Sequence, residues 1–104
     1  MRIAIAYIVC KNRAEAGKIG TALVKSRMAA CVNIFDNMRS VYWWKGKPEK
    51  SQETVLIAKT TQKSFPALAR KVQTLHSYEV PCILQIPVAG GNKAYVKWLL
   101  GNMR

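Results

Sequence analysis

Few side chains in this sequence could do chemistry beyond packing. The 104 residues hold three cysteines, Cys10, Cys31 and Cys82, and one histidine, His76. Thiolate and imidazole are good ligands for copper and zinc, and thiolates favour Cu(I) in particular. Cys10, His76 and Cys82 would make a soft Cys/His/Cys set if the fold brings them together, although their spacing carries no recognised metal signature. A plainer reading stands beside it. Free cysteine usually behaves as a small buried hydrophobe, and His76, on an apolar stripe, would then be a hydrogen-bonded core histidine. Widely spaced cysteines in odd number, without a CxxC pair, argue against a disulfide framework and against a finger-type zinc site. Free thiols suit a reducing cytosol. Cys31, beside Ala29 and Ala30, reads as structural. Five carboxylates and one histidine offer no paired arrangement for general acid–base work, so a binding protein is expected rather than an enzyme.

The elements that must position these groups follow from the hydrophobic pattern. Ile3 to Cys10 is a continuous apolar run, which fits a central strand buried on both faces. After Met1-Arg2 it superficially resembles a short signal peptide, but it lacks a basic start of any size and a small-residue cleavage site, so it reads as a strand. No apolar run approaches the roughly 18 residues needed to span a bilayer. Asn12 can cap a helix over residues 13 to 28, with Glu15 reaching back as in a capping box. Cys31 to Phe35 and Val41 to Trp44 read as one long or bent strand interrupted around Asp36-Asn37, and Gly46-Lys47-Pro48 is a turn signal. Thr54 to Thr60 is a third strand, antiparallel to the second through that turn.

Phe65, Leu68, Ala69, Val72, Leu75 and His76 form the cleanest helical stripe, with Pro66 in the first turn. Pro81 to Val88 is a fourth strand whose Pro87 suggests an edge or a bulge. Asn92 can cap a last short helix carrying Tyr95, Trp98 and Leu99. The order β-α-β-β-α-β plus a C-terminal helix is an α+β, ferredoxin-like split βαβ arrangement in one domain, residues 1–104. In such a sheet the first and fourth strands are expected apart, so a site shared across a subunit boundary is one way to unite Cys10 and Cys82. Tyr42, Trp43 and Trp44 alternate across a strand, so at least one tryptophan lies off the helix-covered face. Strands this apolar are expected to bury the other face in an oligomer.

Lys and Arg number 17 against 5 Asp and Glu, a formal charge of +12. That excludes an acidic disordered tail and invites a nucleic-acid or polyanion partner. The basic residues are nevertheless spread along the chain, from Lys11 to Lys71 and beyond, and a scattered charge usually means a solvated surface. The strands also lack the exposed aromatic signature of an RNA-recognition sheet.

Five segments together resemble the CutA family of divalent-cation tolerance proteins: Arg27 to Asn33, Tyr42 to Lys47, Lys59-Thr60-Thr61, Leu75 to Pro81 and Gly91 to Leu99. They span nearly the whole chain in register. The resemblance implies a homotrimer with an architecture similar to the PII signalling proteins. It also implies a cytoplasmic protein of the response to copper and other divalent metal ions. In the family, copper binding is attributed to a cysteine ending the first strand and a histidine ending the second helix, here Cys10 and His76. The motif Tyr42-Trp43-Trp44 fits the family's subunit interface. Lys59, Tyr78 and Glu79, with Trp44, could line a cleft between subunits for a small anionic ligand, as the PII likeness allows. The sequence departs from the family pattern at Leu75, where some relatives have a second histidine, and at Ser77, where proline is usual. Cys82 stands where a carboxylate is often found, and the +12 charge contrasts with commonly acidic relatives.

Overall fold

The computed structural model describes residues 2–103. Met1, where the signal-peptide alternative begins, and Arg104, the end of the expected domain, lie outside the described residues. The elements are β1 (Ile3–Cys10), α1 (Arg13–Lys25), β2 (Cys31–Trp44), β3 (Lys47–Thr61), α2 (Phe65–Leu75), β4 (Ile83–Pro87) and α3 (Lys93–Gly101). The strands form one antiparallel sheet in the order β2-β3-β1-β4. This is the ferredoxin-like α+β arrangement expected from the element order.

The strand boundaries show what local chemistry adds. Asp36 and Asn37 do not interrupt β2; they make a bulge between Phe35 and Met38. Asn37 takes the left-handed conformation, and the Asp36 carboxylate accepts hydrogen bonds from the Asn37 amide and the Thr54 hydroxyl, both at 3.0 Å. The strand therefore bends and continues. The turn that follows is only Lys45-Gly46, both at positive φ, so Trp44 pairs directly with Lys47 and β3 starts well before Thr54. Two such residues are what a tight hairpin with the right twist requires.

Helix α1 stops at Lys25, three residues short of the expected end. Arg27 adopts a left-handed backbone and the Met28 amide returns to the Leu23 carbonyl, a Schellman closure built without glycine. Its start is as expected, with the Asn12 side chain accepting the Glu15 amide. The spacing of β1 and β4 is not as expected: β1 pairs with β4 directly, from Ala4 with Pro87 to Ile8 with Ile83. Chain order placed them far apart, but the crossover through α2 lays β4 on the free side of β1.

Strand β1 alternates between the two sheet faces. Ala4, Ala6, Ile8 and Cys10 are fully buried on the helix-covered face, the last three in a core shared with Ile19, Leu23, Leu56, Leu68 and Val72. Gly20 lets α1 approach closely, since a Cβ there would lie 3.0 Å from Val32 Cγ2. The other face is only half-buried at Ile5, Tyr7 and Val9, and Phe35, Leu84 and Ile86 on it are exposed. Expected burial on both faces is thus met on one face of the single chain. Helix α3 covers one end of the open face, where Lys59 Nζ meets the Tyr95 hydroxyl at 3.1 Å.

Candidate metal centre and a neighbouring cleft

The end of β1, the first turn of α1 and the residue after α2 converge on one point. β1 delivers Cys10, fully buried. One turn into α1, Glu15 points back, its Oε1 accepting the Lys11 amide at 3.0 Å and its Oε2 the Ser77 amide at 2.9 Å. His76 caps the C-terminus of α2, and its side chain is fully buried. Ligand atoms of Cys10, Glu15 and His76 all lie within 4.8 Å of one another.

The hydrogen bonds fix the state of the imidazole. Nδ1 accepts the Tyr78 amide at 3.0 Å, and Nε2 lies 2.7 Å from the Val9 carbonyl oxygen. A neutral ring with its proton on Nε2 satisfies both. The Nδ1 lone pair is then taken up by the Tyr78 amide, and Glu15 Oε1 stands 3.8 Å from the same nitrogen. Burial pushes the Cys10 thiol up to about 12, with Glu15 and Glu53 adding to the effect. Burial also acts to raise Glu15, but its bonds from Ser77 and Lys11, with His76 nearby, outweigh that and hold its carboxyl below the usual range. A carboxylate, an imidazole and a sulfur therefore lie side by side, the first two held by hydrogen bonds to backbone groups.

Such a donor set fits a borderline-soft divalent cation in type. It fits in spacing as well, because tetrahedral ligands about 2.1 Å from an ion stand about 3.5 Å apart. Closing from 4.8 Å needs side-chain shifts of about an ångström and loss of the Tyr78 amide bond to Nδ1.

Cys82 is not in this group. It follows Pro81 ahead of β4, and its carbonyl accepts the Val9 amide. Val9 and Cys10 project to opposite sheet faces, and Cys82 lies on Val9's side, lining a cleft of about 900 Å³. Burial, then Glu53, keeps its thiol raised. The cleft floor is the helix-free side of the β2–β3 arm, including Tyr42, Trp44 and Glu53, and its wall includes Tyr78 and Glu79. Glu53 is buried and accepts the Tyr78 hydroxyl at 2.8 Å. Lys59, expected here, stands instead beside Tyr95. Without it the charged lining within one chain is Glu49, Glu53 and Glu79 against Arg39. Trp43 does not line the cleft and is 75% exposed on the other side of the arm. Cys31 is half-buried at the start of β2.

Glu15 is the donor that sequence reading left out of the site. The signal was there in its capping-box position, since a carboxylate that folds back over the first turn of α1 must come near the end of β1.

Residues 4–102 match the family described as CutA1 divalent ion tolerance protein. The divalent-cation tolerance protein CutA of Thermus thermophilus is 42% identical over 94% of this chain and 95% of its own length. Its solved structure superposes with a TM-score of 0.95 over 98% of this chain and 99% of that one, at 40% identity. CutA1 from Oryza sativa superposes with a TM-score of 0.97 at 34% identity, over 100% of this chain and 95% of that one. The rice protein CutA 1, named as chloroplastic, is longer: it is 35% identical over 96% of this chain and 56% of its own length. The structure described as the periplasmic divalent cation tolerance protein CutA of Archaeoglobus fulgidus has a TM-score of 0.93 at 36% identity, covering 96% of this chain and 97% of that one.

Proposed function

The chain belongs to the CutA1 divalent ion tolerance family, and from that premise we propose that it binds a divalent cation, copper first among them, through Cys10, Glu15 and His76. The observation that carries this reading is the convergence of three ligand types within 4.8 Å, on side chains that are almost entirely buried. A bound ion would supply the positive charge that these donors lack, and would favour the thiolate of Cys10 over the thiol. The Val9 carbonyl and the Tyr78 amide hold the imidazole in the free protein, and loading an ion would exchange the Tyr78 bond at Nδ1 for a bond to the metal. Cys82, on the opposite sheet face, is left out of the site.

The same reading includes self-association into a homotrimer. Its support is the half-bare sheet face with exposed Phe35, Leu84 and Ile86, together with the exposed Trp43. An apolar surface of this kind is normally covered by a partner. The role is one of binding and not of catalysis. Among the described residues no helix is long and apolar enough to cross a membrane, and three free thiols support a reducing compartment such as the cytoplasm.

Calorimetric titration with Cu²⁺ of the wild type, of Cys10→Ala/His76→Ala and of Glu15→Gln tests the site. Loss of the tight event in the double variant and a weaker one in Glu15→Gln are expected. Undiminished affinity in the double variant, with its fold retained, overturns the assignment. Light scattering tests the trimer, which a monomeric mass would refute.

A further inference from the structure

Eight of the 17 Lys and Arg residues, spread in sequence from Lys11 to Lys71, belong to α1, α2 and the turns that flank them. The fold lays these two helices side by side on one face of the sheet, in contact with each other. In α1 the buried positions Ala16, Ile19, Gly20 and Leu23 face the sheet. Lys18 and Lys25 are exposed, two turns apart on the opposite side. In α2 Leu68 and Val72 are buried while Arg70 is exposed, and Lys63 is exposed just ahead of it. The outer side of this layer is therefore cationic.

Nothing nearby offsets that charge. The single carboxylate of the layer, Glu15, has a side chain only 8% exposed and spends its oxygens on the Lys11 and Ser77 amides. Among the described residues, the one Lys or Arg in a salt bridge is Arg13, at 3.7 Å from Asp36. Three of the remaining carboxylates line the cleft on the other side of the sheet. The outer helical side also lacks an apolar anchor: of the exposed large hydrophobics, only Val24 lies on α1 or α2. A helix that settles into a lipid surface needs a broad apolar face, whereas phosphodiester contact needs only accessible cations.

We propose that the outer face of α1 and α2 is a sequence-independent docking surface for the phosphate backbone of double-stranded nucleic acid, with Lys18, Lys25, Lys63 and Arg70 as its main contacts. The interaction leaves the helix-free sheet face available for a second copy of the chain and does not depend on the metal centre. Its driving force is release of condensed counterions, so its signature is a steep salt dependence.

Fluorescence anisotropy of a labelled 20-base-pair duplex of arbitrary sequence, titrated with the intact protein from 25 to 200 mM NaCl, tests the proposal. A linear fall of log K with log salt is expected, with a slope of about −4, as for four to five phosphates neutralised. Lys18→Ala/Lys25→Ala/Arg70→Ala should flatten the slope to about −1 and weaken binding at 50 mM salt by at least about tenfold. Lys45→Ala/Lys47→Ala/Lys50→Ala, in the β2–β3 arm, should change affinity by less than about twofold from the wild type at the same salt. Circular dichroism of each variant establishes that the fold is intact, and the salt slope of the wild type stands as a test should any variant misfold. Absence of binding at 25 mM salt, a slope near zero, or an equal loss in the arm variant overturns the proposal. Tighter binding to phosphatidylserine-rich vesicles than to the duplex overturns it as well, in favour of a membrane surface.

Discussion

The two faces of the sheet are built from the same strand and come out opposite in character. On the covered face Ala4, Ala6, Ile8 and Cys10 are fully buried beneath two helices, and a carboxylate and an imidazole close over the end of the row. On the open face the intervening Ile5, Tyr7 and Val9 are half-exposed, and β4 adds exposed Leu84 and Ile86. Cys10 and Cys82 illustrate the difference. Both are cysteines near the same end of the sheet, yet one faces a closed polar cluster and the other an open cleft of about 900 Å³. Alternation along a strand, and not distance, separates their chemistry. The covered cluster sets three donors of different chemistry within 4.8 Å of one another. The open cleft is instead edged with Glu49, Glu53 and Glu79, three carboxylates with Arg39 as their one cationic neighbour in the lining.

The contrast can be broken most forcefully at the covered face. Leu56→Ala, fully buried opposite Ile8, is expected to cost about 2–5 kcal/mol in urea unfolding. A cost under about 1 kcal/mol would mean that the helix-covered core is not the main source of stability.

Next in size is the alkaline limb. The folded Cys10 thiol titrates near 12, against an ordinary 9.0 once unfolded. The stability this burial protects is whole below pH 9 and is lost as pH rises towards 12, because the unfolded chain ionises first. The slope approaches about 1.4 kcal/mol per pH unit for one proton. Cys10→Ala should remove that part of the decline in stability measured between pH 8 and pH 11; an unchanged profile would place the titration elsewhere.

Glu15→Gln is expected to cost about 1–2 kcal/mol at neutral pH, through weakened bonds to the Lys11 and Ser77 amides. The sign of its pH dependence is opposite to that of Cys10. The folded carboxyl titrates below its unfolded value, so its contribution is present above the unfolded range and is lost as pH falls through the folded one. The variant's deficit should shrink in acid, as read by thermal unfolding at pH 7 and pH 3.

The smallest effect on the single chain lies on the open face. Leu84→Ser, at 58% exposure, should alter the stability of the monomer by no more than about 0.5 kcal/mol. The same change should lower the mass seen by light scattering. A large loss of monomer stability with assembly intact would reverse the roles assigned to the two faces.

Much of this was legible in the residues themselves. The apolar run of β1, the Asn12 and Asn92 caps and the stripe of α2 define their elements locally, because hydrophobic period and capping are short-range effects. Cys10 and His76 were marked by chemistry and by family likeness. Glu15 was visible as a capping residue but not as a ligand, since that role depends on where the far end of α2 arrives. Lys59 went the other way: its place in a Lys-Thr-Thr segment suggested the cleft, and the fold put it under Tyr95.

The sequence alone determined the element order, the family and the excess of positive charge, since each is carried by residue types and short spacings. Only the tertiary structure decided that β1 and β4 are neighbours and that Cys10 and Cys82 look away from each other. It likewise decided that eight of the cations between Lys11 and Lys71 come together on one helical layer. These are matters of crossover and strand parity, which relate residues far apart in the chain and leave no mark on the local pattern of either segment.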